Sequence, residues 1–294
     1  MKSNFVVVGV VLLVVLGAGY GAYFLLNKNE VEILAQNDAG TPATSSQLED
    51  AYIEVPVATT KSENGGDPNA GLTYRLTYPE IALLGHKKEA SEASAVIKTF
   101  AMDILSSFQK DVAEIGGERT KESETSDLTL LASPTLLSPT IISLRFDVSE
   151  YIAGSAHPSS YTRVFNYDIE ERRLLGIEDL FASTTDALLF LSEFSRSALR
   201  ERFSDLTQAQ WDETVLDGTQ PTQENFSSIA LRSDGLLLIF NPYQVAPYAR
   251  GAQEVFVPQI AIDHLLAPRI KGALRLSATN YVSASSEIPL QMQD

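Results

Sequence analysis

The chain has 294 residues, 44% of them hydrophobic and 20% charged, which fits a globular protein with a sizeable core rather than a disordered one. A formal net charge of −16 makes nucleic acid and anionic lipid surfaces poor partners. The absence of cysteine excludes disulfides, thiolate metal sites and thiol nucleophiles.

In chain order, four residues precede an uncharged apolar run, Phe5 to Leu26. At about 1.5 Å per residue it is about 33 Å long as a helix, enough for a bilayer core of about 30 Å. It is longer than a cleavable signal's apolar region and closes on bulky Tyr23, Phe24, Leu25 and Leu26 rather than small residues. The reading is an uncleaved, single-pass transmembrane anchor over 5–26. The short end, 1–4, is expected in the cytoplasm and the bulk of the chain outside the cytoplasmic membrane of a bacterium. Residues 27–50 are polar and read as a flexible linker with a reach on the order of 25–30 Å.

Beyond the linker, Tyr52–Val57 and Leu72–Tyr78 read as strands, separated by a turn-rich loop, Lys61 to Gly71. Ala93, Ile97, Phe100, Ile104, Phe108 and Val112 step by three and four, predicting one amphipathic helix over about 87–115 that Gly116-Gly117 ends. A stretch holding Pro134 and Pro139 has no clear pattern. Strands are predicted at Thr140–Tyr151 and Tyr161–Ile169 around a loop at 154–160. Ser183 caps a second amphipathic helix with Asp186 in its first turn. A short helix at about Gln208–Leu216 carries the single tryptophan, Trp211. Ser227–Arg232 and Leu236–Phe240 flank Ser233-Asp234-Gly235 as a hairpin, and Glu254–Val257 is extended. Pro258 opens a last helix stopped by Pro268, and 268–294, poor in apolar mass, reads as a mobile tail. The fold class is therefore α+β: mostly antiparallel sheet packed with two long amphipathic helices, behind one N-terminal transmembrane helix.

One segment stands out chemically. In Asn241-Pro-Tyr-Gln-Val-Ala-Pro-Tyr-Ala-Arg-Gly251 two prolines fix φ and the final glycine permits a sharp turn. Tyr243 and Tyr248 with Arg250 can form a rigid aromatic platform for a saccharide or protein. Alternatively, the tyrosines pack on a sheet and bond backbone carbonyls. His157, in the 154–160 loop, is a further binding candidate. A Ser155–His157–Asp168 hydrolase lacks a Gly-x-Ser-x-Gly elbow. No catalytic residue, metal site or cofactor is expected.

The 241–251 run resembles the Pro-Tyr-x-x-Ala-Pro-Tyr-Ala-x-Gly stretch of an extracytoplasmic family, DUF3298. That family is shared by lysozyme-sensing anti-sigma factors of the RsiV type and the non-catalytic part of PdaC-type peptidoglycan deacetylases. Gly154-Ser-Ala-His-Pro158, Phe165-Asn-Tyr-Asp168 and Glu178-Asp-Leu-Phe181 are similar to further family positions, with Ser155 replacing a glycine. The segment Leu76–Val112 resembles the DUF4163-like domain that usually precedes it. The resemblance implies a DUF4163-like subdomain over 51–150 and a DUF3298-like subdomain over 151–267. It also implies an envelope binding module, more a binder than an enzyme, for a cell-wall glycan or a basic wall-active protein such as lysozyme. The family's two outputs are not expected: only four residues precede the anchor to hold a sigma factor. His86, His157 and His264 give no His-x-x-x-His deacetylase pair. The alternatives are a wall-acting hydrolase, a deacetylase-associated protein, or a structural partner of another envelope protein; the oligomeric state is open.

Overall fold

The computed structural model describes residues 56–67, 71–115 and 125–276. The anchor expected at 5–26, the linker at 27–50 and the tail beyond 276 lie outside the described residues. Among the described residues no helix is long and apolar enough to cross a membrane.

Six strands form one mixed sheet in sequence order: β1 (Val57–Asp67), β2 (Leu72–Ala82), β3 (Ser126–Leu137), β4 (Ile141–Tyr151), β5 (Ser159–Asp168) and β6 (Arg173–Leu174). β1 occupies much of the segment expected to be a loop, including Lys61–Asp67. Its composition favours turns, but it pairs along its whole length with β2, and tertiary pairing overrides local propensity. Gly65 lies under the Tyr74 ring, which would have to shift to admit a Cβ there.

Between β2 and β3 runs α1 (Lys87–Ile115), as the 3.6-residue stripe predicts. Ala93, Ile97, Ile104, Phe108 and Val112 are all buried on the sheet. This crossover makes β2 and β3 parallel, the one departure from the hairpin-like connections expected. The patternless stretch is strand β3; Pro134 is accommodated by a register shift between Pro134 and Leu136. β4 alternates cleanly: Ile142, Leu144, Phe146 and Val148 face α1, where Phe100 packs on Phe146 and Phe165 at centroid distances of 4.9 and 5.4 Å.

After α2 (Ile177–Leu180) comes α3 (Thr184–Arg202), whose first turn is capped by Ser183 accepting from the Asp186 amide at 3.4 Å. A short α4 (Gln208–Gln210) continues as a π-helical turn, Trp211–Leu216; Trp211 is buried, with the Arg200 guanidinium 4.2 Å above its ring. The second sheet is β7 (Ile229–Arg232), β8 (Gly235–Phe240) and β9 (Gln253–Pro258), antiparallel throughout, with Ser233-Asp234 as the hairpin turn. α5 (Gln259–Ile262) is a single turn.

The 268–276 segment is a helix, α6, not a frayed tail. Ile270, Ala273 and Leu274 are buried in the core formed by α3, the π-helical turn and the second sheet. Its sparse apolar residues fall on one face, so a short window hides a well-packed helix.

The two sheets are joined through side chains that the alternation of β4 and β5 turns away from α1. The Ser143 hydroxyl accepts from the Leu231 amide at 3.0 Å, and the Asn166 amide donates to the Ile229 carbonyl at 2.8 Å. Arg145 donates to Glu254 at 2.8 Å, while Val164 packs on Ala230, Leu237 and Ile239. The six-stranded sheet passes without a break through residue 150, where a subdomain boundary was expected.

Candidate functional site

The β8–β9 connection, Asn241 to Ala252, is a long loop held from beneath. The Asn241 side chain mimics a strand partner for β5: its Oδ1 accepts from the Thr162 amide at 2.7 Å and its Nδ2 donates to the Thr162 carbonyl at 3.1 Å. Gln244 donates to the carbonyls of Asn225 at 2.9 Å and Gly218 at 3.2 Å. Gly218 has no room for a Cβ beneath the Gln244 carbonyl. Val245 and Ala246 are buried, so the middle of the loop is nailed to the core.

The tyrosines on either side of that nail point outward together. Pro247 leads into a 3₁₀ turn, Tyr248–Arg250, and Gly251 leaves it at φ 65°. Tyr243 stacks on Tyr248 with ring centroids 5.3 Å apart and 28° between planes. His157, from the β4–β5 loop, stacks on Tyr248 at 4.7 Å and 29°. The Tyr248 hydroxyl donates to the Pro158 carbonyl at 2.7 Å, and His157 Nδ1 reaches the same oxygen at 2.8 Å. A carbonyl oxygen only accepts, so Nδ1 donates, and in the neutral imidazole Nε2 is then the acceptor.

Three of the four sequence-predicted residues thus come together, with distinct roles. Tyr248 is sandwiched between two rings and tied by its hydroxyl; it is the pillar of the stack. Tyr243 is 67% exposed and sits at φ 72°, a left-handed conformation that a bulky residue adopts only at a cost of about 1 kcal/mol or more. Its outer face is free to receive a planar or apolar partner. Arg250 is turned back onto its own fold, ion-paired with Asp205 and with its guanidinium 5.0 Å from the Phe203 ring. The Asn241 clamp and the Asp205 partner were not singled out from the sequence. Asn241 opens the quoted motif, but no local signal marks Asp205.

The imagined Ser155–His157–Asp168 triad is not assembled. His157 precedes β5 and Asp168 ends it, so the two lie about 30 Å apart along an extended strand. Asp168 is fully buried and ion-paired with Arg269. Among the described residues no group of three or more His, Cys, Asp or Glu side chains is placed to hold a metal ion.

Residues 178–259, from α2 to the start of α5, match the family model DUF3298, described as a protein of unknown function. The peptidoglycan-N-acetylmuramic acid deacetylase PdaC of Bacillus subtilis is 28% identical over 193 residues, 66% of this chain and 38% of that protein. The immunogenic protein MPT64 of Mycobacterium tuberculosis is 30% identical over 115 residues, 39% of this chain and 48% of that protein. The chain therefore spans less than half the length of these curated relatives. A solved DUF3298 family structure from Bacteroides fragilis is similar at a TM-score of 0.50 and 20% identity, covering 76% of this chain and 97% of that one. At that identity the likeness is one of fold. The match to DUF3298 is confined to 178–259; Tyr243, Tyr248 and Arg250 lie inside that span, while His157 reaches it from the neighbouring hairpin.

Proposed function

We propose that this protein is an envelope binding module that recognises a cell-wall glycan through the Tyr243–Tyr248–His157 stack. The observation that carries the reading is Tyr243 itself: a strained backbone, a ring 67% exposed, and a second ring behind it that fixes its plane. A pyranose presents a flat face of C–H groups that stacks on such a ring. The His157 Nε2 beside it, and backbone carbonyls of the two loops, supply hydrogen bonds to hydroxyl or acetamido groups. A relative named for a peptidoglycan deacetylase favours peptidoglycan as the glycan. In this reading the chain is tethered by the apolar run at 5–26, single-pass, with the domain outside the cytoplasm. The finer likeness, to RsiV-type proteins with a DUF4163-like segment ahead, belongs to the same proposal.

The test is calorimetric titration of the protein with soluble muropeptides, using Tyr243→Ala beside the unaltered chain. Binding that Tyr243→Ala weakens tenfold or more, with an unchanged melting temperature, is expected. Equal affinity in both proteins, or none in either, sinks the reading. A second reading, capture of a basic wall-active protein such as lysozyme, is favoured by the net charge of −16. It predicts lysozyme binding that falls steeply with salt, whereas glycan stacking does not.

A further inference from the structure

Far from the aromatic stack, β1 and the N-terminal half of α1 enclose a groove of about 930 Å³. It runs from Lys87, where α1 begins, to Lys98, a rise of about 16 Å along the helix. The Lys98 end is closed by a polar knot: Glu63 Oε1 accepts from the Tyr78 hydroxyl and from Lys98 Nζ. Those two donors hold the Glu63 carboxyl below its ordinary range, Lys98 contributing more. The knot is neutral overall and internally satisfied.

The middle of the groove offers a ligand few polar partners. The Ser94 hydroxyl is consumed by the Ile81 amide at 2.9 Å and the Ala90 carbonyl at 2.8 Å. Ser62 pairs with Thr77, and Lys61 with Glu80 at 2.9 Å. A hydrocarbon chain needs no such partners. The mouth, by contrast, exposes aliphatic surface and charge together: Val57 is 61% and Leu84 76% exposed, and Lys87 has no ion pair among the described residues. The lining holds three lysines against two glutamates, a local excess of positive charge in a protein of net charge −16. First-turn amides of the 29-residue α1 add to it.

We infer that this groove binds a single-chain amphipathic anion, its alkyl chain lying along the accessible Val57, Leu84 and Ala95 and its carboxylate or similar head at Lys87. The site is independent of the aromatic stack and uses none of its residues.

Photo-crosslinking of the full-length chain with a diazirine-bearing dodecanoate, followed by peptide mapping, tests it. The label is expected on residues 57–63 and 81–98. It should fall at least fivefold in Lys87→Glu and be lost in Ala95→Trp, whose indole fills the groove from an exposed helix position. Circular dichroism should show both variants folded. Free dodecanoate should compete for the label, while dodecyltrimethylammonium and phosphatidylglycerol vesicles should not. Label that survives either substitution in a folded variant, that maps elsewhere, or that the cation or the vesicles displace as well as dodecanoate does, overturns the inference.

Discussion

Arg269, on helix α6, sets its guanidinium on the carboxylate of Asp168, which is fully buried at the end of β5. Nη2 donates to Oδ1 at 2.7 Å and Nε faces Oδ2, while the Glu171 amide donates to Oδ1 at 2.7 Å. Glu170, 2.8 Å from Nη2, completes the cradle. This pair locks α6 to the six-stranded sheet, and with it the core that α6 shares with α3.

Removing Arg269 leaves the fully buried Asp168 carboxylate without its cation, the case in which a buried pair costs most. Arg269, by contrast, is partly exposed and keeps Glu170 when Asp168 is removed. Arg269→Ala is expected to lower stability by about 3 kcal/mol in urea denaturation. The double variant with Asp168→Ala should cost less than the sum of the two singles, because neither charge is then stranded. Strict additivity would show the pair to be uncoupled.

Tyr243 gives a prediction of opposite sign. A glycine tolerates φ 72° without strain, so Tyr243→Gly should leave stability unchanged or raise it by up to about 1 kcal/mol while removing the exposed ring. Loss of glycan binding with no loss of stability would mark the residue as kept for recognition. Tyr248→Phe should behave differently, losing about 1 kcal/mol with its bond to the Pro158 carbonyl.

The ties between the sheets should be sensitive. Asn166→Ala strands the Ile229 carbonyl in a buried position and is expected to cost about 1–3 kcal/mol. Hydrogen exchange of the β7 amides would report whether the second sheet loosens with it.

High pH tests the β4–β5 hairpin. Burial, reinforced by the Glu150 carboxylate, pushes the Tyr161 hydroxyl up to about 12. Between about pH 10, where an unfolded tyrosine loses its proton, and about pH 12, the folded state alone holds that proton. Stability from this group is therefore full below about pH 10 and drains away as pH rises to about 12. Tyr78 and Tyr167 are also pushed up, chiefly by burial, so absorbance titration of phenolate should show several late-titrating tyrosines, of which Tyr161→Phe deletes one. Burial and Asp111 likewise raise the Glu150 carboxyl, so Glu150→Gln should stabilise the protein at neutral pH.

Much of the architecture was readable in the chain because single elements declare themselves locally. The apolar stripe from Ala93 to Val112 dictates one helix face, and the β4 alternation dictates which residues meet it. Ser183 caps as expected. The Pro-Tyr-Gln-Val-Ala-Pro-Tyr run marks a constrained loop because prolines and a terminal glycine fix its backbone whatever surrounds it. Where local signals conflicted with long-range pairing, the reading failed: β1 has a loop's composition, and α6 has little apolar mass.

What the sequence alone determined is therefore periodicity, caps, turns and the chemical inventory of the 241–251 loop, all set by contacts within a few residues. Only the tertiary structure decided that His157 joins Tyr248, that Asp168 belongs to Arg269 rather than to His157, and that the polar positions of β4 and β5 bind a second sheet instead of water. These are relationships between residues tens of positions apart in the chain. A polar side chain reads the same in sequence whether its partner is solvent or a distant backbone amide, and the difference lies wholly in what the fold brings opposite it.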